Sequence, residues 1–368
     1  MLFFTGFPGF LGSELLKEIL PRFPDLTAIC LIQKKFISLA QSQLESFPSS
    51  VQKRVSFVEG DLTLPLLGLS NEFLTQTAPQ ITQIFHLAAI YDLNVKETLA
   101  KKVNIEGTIH TLDFAKKCTH LTRFQYVSTC YVSGRYPGRF FETDLAKGQL
   151  KNYPFNNYYE STKYQAEIEV QKAMTAGLPV TIYRPGIVVG NSITGETQKF
   201  DGPYFVLQWL LRQPKKFAIL PTVFTRNMPR EGHTLDLVPS DFVIKGIAYL
   251  SQRNETLGEV FQLADPHPLT VPAIIQNFEE ILGKKIIKIP LPLWLARLAL
   301  RWIPGLEKFM GVPYSALNYF AHPTTYDVSN TLKRLEGSGI SAPSFPSYSR
   351  ALLTYMKAHR HTRSKALT

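Results

Sequence analysis

The chain is short of cysteine: Cys30, Cys118 and Cys130 are its only three in 368 residues. An odd, widely spaced trio with no Cys or His placed to complete a zinc pattern argues against a disulfide framework and against a zinc site. His86 and His233 have no ligand partners at metal spacing, so no metal is expected. A reducing, cytoplasmic setting is the expectation. Also lacking is any run of about 18 uncharged apolar residues, so no membrane span is expected. Met1-Leu2-Phe3-Phe4 leads into a glycine motif without a basic leader or small-residue cleavage site, and no secretory leader is expected. No internal repeat or low-complexity segment is found. Acidic residues are outnumbered, 29 against 40 Lys and Arg, a net charge of +11. The excess is spread along the chain. It suits anionic ligands such as phosphorylated cofactors or acidic carrier proteins. No nucleic-acid recognition motif accompanies it.

What is present is alternation. Leu2–Thr5 reads as a short buried strand, and Phe10–Leu20 as a helix with Leu11, Leu15, Leu16 and Ile19 on one face. Further strands are expected at Leu26–Ile32, Arg54–Val58, Ile81–Leu87, Arg123–Ser128 and Val180–Tyr183. Helices are expected through Asn104 and Ile109 and over Tyr159–Ala173. Such βαβ units predict an α/β fold: a Rossmann-type, doubly wound parallel sheet with helices on both faces. After Pro185 the segments become longer, richer in Pro and aromatics, and less regular. Leu235–Leu250 reads as a helix and Val260–Leu263 as a strand returning to the sheet. The expected division is a dinucleotide-binding domain of 1–189 plus 233–264, a smaller, mostly helical substrate lobe of 190–232 plus 265–355, and a basic, frayed tail over 356–368.

Thr5-Gly6-Phe7-Pro8-Gly9-Phe10-Leu11-Gly12 links the first strand to the first helix with G-x-x-G-x-x-G spacing. Glycines there permit positive φ and close backbone approach to a phosphate, and the helix start presents free N–H groups to a pyrophosphate. Nicotinamide cofactors are distinguished after the second strand, where NAD sites place a carboxylate for the ribose 2′-hydroxyl. This chain has Gln33-Lys34-Lys35 and no acid. Lysines attract a 2′-phosphate, so NADPH is the expected cofactor, with NADH as the alternative.

Tyr159 and Lys163 are four residues apart, on one helical face. A phenol with a pKa of about 10 is a poor acid–base group at pH 7. A neighbouring ammonium is expected to lower it. The Ser128-Thr129 pair at the end of the fifth strand offers a hydroxyl to a substrate oxygen while Tyr159 donates its proton.

The chain resembles the extended short-chain dehydrogenases/reductases, and within them the thioester-reductase and fatty acyl-CoA reductase (male sterility) branch. The resemblance covers about residues 2–250. It rests on TGFPGFLG (5–12), GDLTLPLLGL (60–69), IFHLAAIYDL (84–93), VNIEGT (103–108), YVSTCYVSG (126–134), NNYYESTK (156–163), GLPVTIYRPGIVVGNSITG (177–195) and DLVPSDFV (236–243). It implies Thr129 as catalytic hydroxyl, Tyr159 as proton donor and Lys163 as the lysine that holds the ribose. Gly6, Gly9 and Gly12 correspond to the pyrophosphate turn, with Thr5, Phe10 and Leu11 beside it. Gln33 stands where NADP-dependent relatives often carry arginine, leaving the 2′-phosphate to Lys34. Asp61 and Leu62 correspond to the adenine side. Ala88, Ala89 and Asn104, then Tyr183, Arg184, Pro185 and Gly186, correspond to positions along the cofactor, the last group beside the nicotinamide.

The implied activity is NADPH-dependent reduction of an acyl thioester, on coenzyme A or an acyl carrier protein, to aldehyde or alcohol. Ketone/alcohol interconversion on a steroid- or flavonoid-like substrate, sugar-nucleotide epimerisation or dehydration, and a non-enzymatic NADP(H) sensor are the other readings. An oligomer is compatible with all of them. Trp294, Leu295 and Leu298, in the most apolar stretch (290–300), and Trp302 just after it are expected either to pack on the lobe's own core or to form a face for a lipid surface or acyl chain. Tyr204, Phe205, Trp209 and Phe217 are read as core or as the lining of an acyl channel. The basic tail is read as solvated or as a dock for an acidic carrier or an anionic membrane.

Overall fold

The computed structural model describes residues 1–92, 95–145, 153–226 and 228–359. Arg360, His361, Arg363 and Lys365 of the expected basic tail lie outside the described residues. Seven strands form the central sheet: β1 (Leu2–Thr5), β2 (Ala28–Ile32), β3 (Val55–Glu59), β4 (Gln83–His86), β5 (Arg123–Val127), β6 (Val180–Pro185) and β7 (Val260–Leu263). Their order is β7-β6-β5-β4-β1-β2-β3 and every pairing is parallel. The chain leaves β1 toward β2 and returns on its other side as β4. This reversal of direction opens a crevice at the carboxyl ends of β1 and β4.

The sheet is covered on both faces because its strands are rich in apolar residues whose side chains alternate between the two faces. Leu2 and Phe4 point to a core closed by Leu15, Leu16 and Ile19 of helix Phe10–Ile19 and by Val243 and Ile247 of helix Ser240–Leu250. Phe3, between them, joins Phe114, Phe124, Ala166 and Val170 on the opposite face. A third core gathers Tyr204, Leu207, Ile274, Phe278, Tyr348 and Leu352, from the later part of the chain.

Two expectations about elements change. The predicted helix over Leu235–Leu250 begins only at Ser240; Leu237–Pro239 is a strand paired in parallel with Ile187–Val189. Proline disfavours helical backbone in the residue before it, so Val238 is extended and the helix starts after Pro239. The region after 265 is also less helical than expected. Lys285–Pro292 pairs with Phe217–Phe224 as an eight-residue parallel ribbon, and the apolar helix runs from Leu293 to Trp302.

Candidate active site

The glycine turn closes as the sequence predicts. Gly6 has φ +99°, and a Cβ on Gly12 would sit 2.5 Å from the Gly6 carbonyl oxygen. Gly9 N–H donates to Gly6 O at 2.9 Å, and no side chain caps the helix that starts at Phe10. The first N–H groups of a helix have no intrahelical partners, and these face the crevice.

Helix Tyr158–Thr175 carries the Tyr–Lys pair, and its start is set locally. Asn157 caps it, its side-chain oxygen accepting from Glu160 N–H at 3.0 Å. The Glu160 carboxylate accepts in turn from Asn156 N–H at 2.8 Å. This is a variant of the capping box. It directs Tyr159 and Lys163 toward the ends of β5 and β6.

The resulting cleft has a volume of about 860 Å³. Of the predicted positions it brings together Thr5, Gly6, Gly9, Phe10, Leu11, Gly12, Gln33, Lys34, Asp61, Leu62, Ala88, Ala89, Thr129, Tyr159, Lys163, Pro185 and Gly186. Lys163 is buried; its ammonium donates to Tyr126 Oη and to Val127 O, both at 2.8 Å. Burial lowers its pKa to about 7, against the pull of Glu167. Thr129 Oγ1 donates to Pro185 O at 3.4 Å and accepts from Tyr131 N–H at 3.3 Å. Asp61 accepts from Thr63 N–H at 2.8 Å and is also hydrogen-bonded by the Gln33 side chain.

Three expectations need correction, and one open choice is narrowed. Tyr183 lies outside the cleft: it is fully buried, stacks on Phe261 and donates to Gln125 Oε1 at 2.8 Å. Strand alternation turns it to the face opposite the one implied. Asn104 does not line the cleft either. Its amide oxygen accepts from Ile90 N–H at 2.8 Å, and its NH₂ donates to Thr162 at 3.0 Å, tying the loop after β4 to the helix that carries Tyr159 and Lys163. The Ser128 hydroxyl is committed to the Glu167 carboxylate, which leaves Thr129 as the hydroxyl of the pair. Finally, the Tyr159 phenol is pushed up rather than down, by burial and then by the Glu160 carboxylate, while Lys163 spends its bonds on Tyr126 and Val127.

The cleft also contains residues that carried no signal in the sequence. The Tyr91 ring meets Tyr159 edge-on at 5.0 Å. Lys199 donates to Tyr91 O at 2.9 Å, and Asp201 is hydrogen-bonded to the Tyr91 side chain. Tyr131 and Tyr319, T-shaped at 5.0 Å, line the same space. Tyr91 stands within the IFHLAAIYDL segment, but nothing local marks Lys199, Asp201 or Tyr319. His86 is a core histidine, held between Thr5 Oγ1 (2.7 Å) and Thr108 Oγ1 (3.0 Å), and burial drives its pKa to about 3. The cysteines are buried and unpaired.

A parallel sheet with a glycine turn at its reversal point, facing a helix that carries Tyr and Lys, defines the extended short-chain dehydrogenase/reductase class. The family model described as male sterility protein, a NAD-binding family, matches residues 4–247, and the chain belongs to that family. An aldehyde reductase of Aspergillus flavus, lnbA, is 26% identical over 81% of this chain and 30% of its own length. A putative fatty acyl-CoA reductase of Drosophila melanogaster is 27% identical over 66% of this chain and 50% of its own. Among solved structures, the terminal R domain of the myxalamid PKS-NRPS pathway is 27% identical with TM-score 0.79, covering 99% of this chain and 92% of that one. A dTDP-glucose 4,6-dehydratase of Streptomyces venezuelae with NAD bound shares the fold at 19% identity and TM-score 0.65, over 98% of this chain and 97% of that one. The chain spans no more than about a third of the first curated relatives it matches.

Proposed function

We propose that the protein is an NADPH-dependent reductase of acyl thioesters. In this reading 1–189 and 233–264 form the dinucleotide domain, and 190–232 and 265–355 the substrate lobe. The observation that carries it is the convergence of the glycine turn, Thr129, Tyr159 and Lys163 on one cleft of about 860 Å³. The missing side chains of the turn and the uncapped helix start leave a cradle fitting a pyrophosphate. The fold and family favour a nicotinamide dinucleotide there. The reductase names of the relatives favour the acyl thioester over a ketone or sugar nucleotide.

Bound in the cleft, a reduced nicotinamide supplies the hydride. The residues position and protonate. Thr129 turns its hydroxyl from Pro185 O to the substrate oxygen. Tyr159, kept protonated by its buried surroundings, donates its proton to the oxygen that gains charge. The hemithioacetal then collapses, breaking the carbon–sulfur bond and releasing thiol and aldehyde. NADPH oxidation against acyl-CoAs, ketones and sugar nucleotides tests this: turnover confined to ketones would overturn the thioester reading.

Lys34 is exposed on the cleft rim while Gln33 is occupied with Asp61. Lys34 is therefore the group for a 2′-phosphate. A charge-assisted hydrogen bond contributes about 1.5–3 kcal/mol, so Lys34→Ala is expected to weaken NADPH binding roughly 10- to 100-fold and to leave NADH binding unchanged. Equal losses for both, by fluorescence titration, would reject this contact.

Lys163 makes cofactor binding pH-dependent. With a pKa of about 7 in the free protein, it is mostly neutral at pH 8. Ribose hydroxyls accepting from the ammonium favour the charged form, so binding takes up a proton. Calorimetry at pH 8 in buffers of different ionisation enthalpy should show uptake approaching one proton, shrinking at pH 6 and absent in Lys163→Met. The stability sign is opposite to that of a salt-bridged lysine. The unfolded chain holds this proton up to about 10.5, so the cost of burying Lys163 is full below 7 and fades as pH rises toward 10.5.

A further inference from the structure

We propose that helices Leu293–Trp302 and Leu306–Met310 form a docking face for an anionic lipid surface. The first helix is packed on one side only: Leu293 and Ala296 are buried with Leu317 and Ala321. Its other side should be polar in a helix that faces water. Instead Trp294 is 67% exposed, Trp302 70% and, on the second helix, Phe309 68%, with Leu298 and Ile303 also exposed. So many large apolar side chains within 16 positions mark a contact surface.

The patch continues beyond the helices. Phe309 packs edge-on against Trp209 at 5.5 Å, and the Trp209 indole N–H donates to Ile219 O at 2.8 Å. Ile219 belongs to the Phe217–Phe224 ribbon strand, where it pairs with Ile287. The solvent face of that ribbon exposes Phe217, Ile219, Ile287 and Ile289.

Charge selects the occupant. Arg301 and Lys308 on the helices, and Lys285 on the same ribbon face as Ile287, are exposed around the apolar groups. The only carboxylate within 293–310 is Glu307, which accepts from Tyr314 N–H. An apolar face with a basic rim and exposed indoles complements an anionic headgroup region, where tryptophan is favoured and each nearby cation adds attraction. Beneath the two helices lies an apolar cavity of about 290 Å³, lined by Ala299, Leu300, Leu306 and Met310 among others. An aliphatic chain leaving the membrane would find a receptacle there. That last point rests on the acyl-thioester reading; the docking itself does not.

The test uses the whole protein with vesicles of phosphatidylcholine alone and of phosphatidylcholine mixed with phosphatidylglycerol. Co-sedimentation with the mixed vesicles is expected, weakened by salt, with a blue shift of tryptophan emission. Trp294→Ser/Trp302→Ser/Phe309→Ser should bind them at least about tenfold more weakly, with unchanged circular dichroism and NADPH affinity. No sedimentation with mixed vesicles, equal binding to neutral ones, or full binding by the triple variant would each overturn the proposal. So would self-association, or capture of an acidic acyl carrier protein, that the triple variant abolishes while vesicles bind neither form. Vesicle binding without thioester turnover would leave the docking face standing and remove only the proposed activity.

Discussion

Replacing Tyr159 with phenylalanine is expected to lower kcat about 10²–10⁴-fold, the usual contribution of a positioned proton donor, while NADPH affinity changes little. The substitution removes one oxygen and keeps the ring, so the edge-on contact with Tyr91 at 5.0 Å survives. The phenol is held in its protonated form by burial and by the Glu160 carboxylate. That suits reduction, which needs a donor, better than oxidation, which needs a phenolate. Wild-type turnover should therefore stay flat on its alkaline side well beyond pH 8 as far as Tyr159 is concerned. A limb near neutrality is expected only at sub-saturating cofactor, because Lys163 has a pKa near 7 in the free protein and is protonated once the cofactor is bound. Single-turnover rates measured across pH for the wild type and the Phe variant check both statements. A variant that reduces its substrate at the wild-type rate would remove Tyr159 from the chemistry.

A second large effect is expected at a buried pair that does not line the cleft. Arg184 and Glu167 form an ion pair at 2.6 Å with both side chains fully buried. The guanidinium also donates to Glu142 O at 3.1 Å, and Ser128 donates to Glu167. The pair thus clamps the catalytic helix to the ends of β5 and β6, next to Thr129. Glu167→Gln leaves a buried positive charge without its counter-ion and should cost about 3–5 kcal/mol, a large share of the 5–15 kcal/mol typical of a folded protein. Glu167→Met/Arg184→Met removes both charges and should recover most of that loss, since well-packed apolar residues often replace a buried pair at little cost. Urea unfolding of the single and double variants measures the difference. If the single variant unfolds at the wild-type midpoint, the pair contributes nothing to holding the helix in place.

The dinucleotide-binding half was largely legible because its signals are local. Glycine spacing forces a tight turn whatever surrounds it, and apolar alternation fixes which strand residues face which layer. An i,i+4 pair shares a helix face in any context. The later part of the chain was less legible. The Phe217–Phe224 and Lys285–Pro292 strands pair across 60 intervening residues, and neither has a turn signal naming its partner. The helix expected from Leu235 gave up its first residues to a strand because Pro239 keeps Val238 out of helical backbone, a local rule that periodicity alone conceals.

By itself, then, the order of residues determined the sheet, the phosphate turn and the spacing of the Tyr–Lys pair, since each depends on neighbours within a few positions. Only the tertiary structure decided which hydroxyl of Ser128-Thr129 is available and that Tyr183 and Asn104 lie away from the cleft. It also decided that Lys163 is drawn to Tyr126 and Val127, and that Lys199 and Asp201 reach Tyr91. The reason is physical: burial and hydrogen-bond partnership are properties of the space around a side chain, and most of that space is filled by residues distant in the chain.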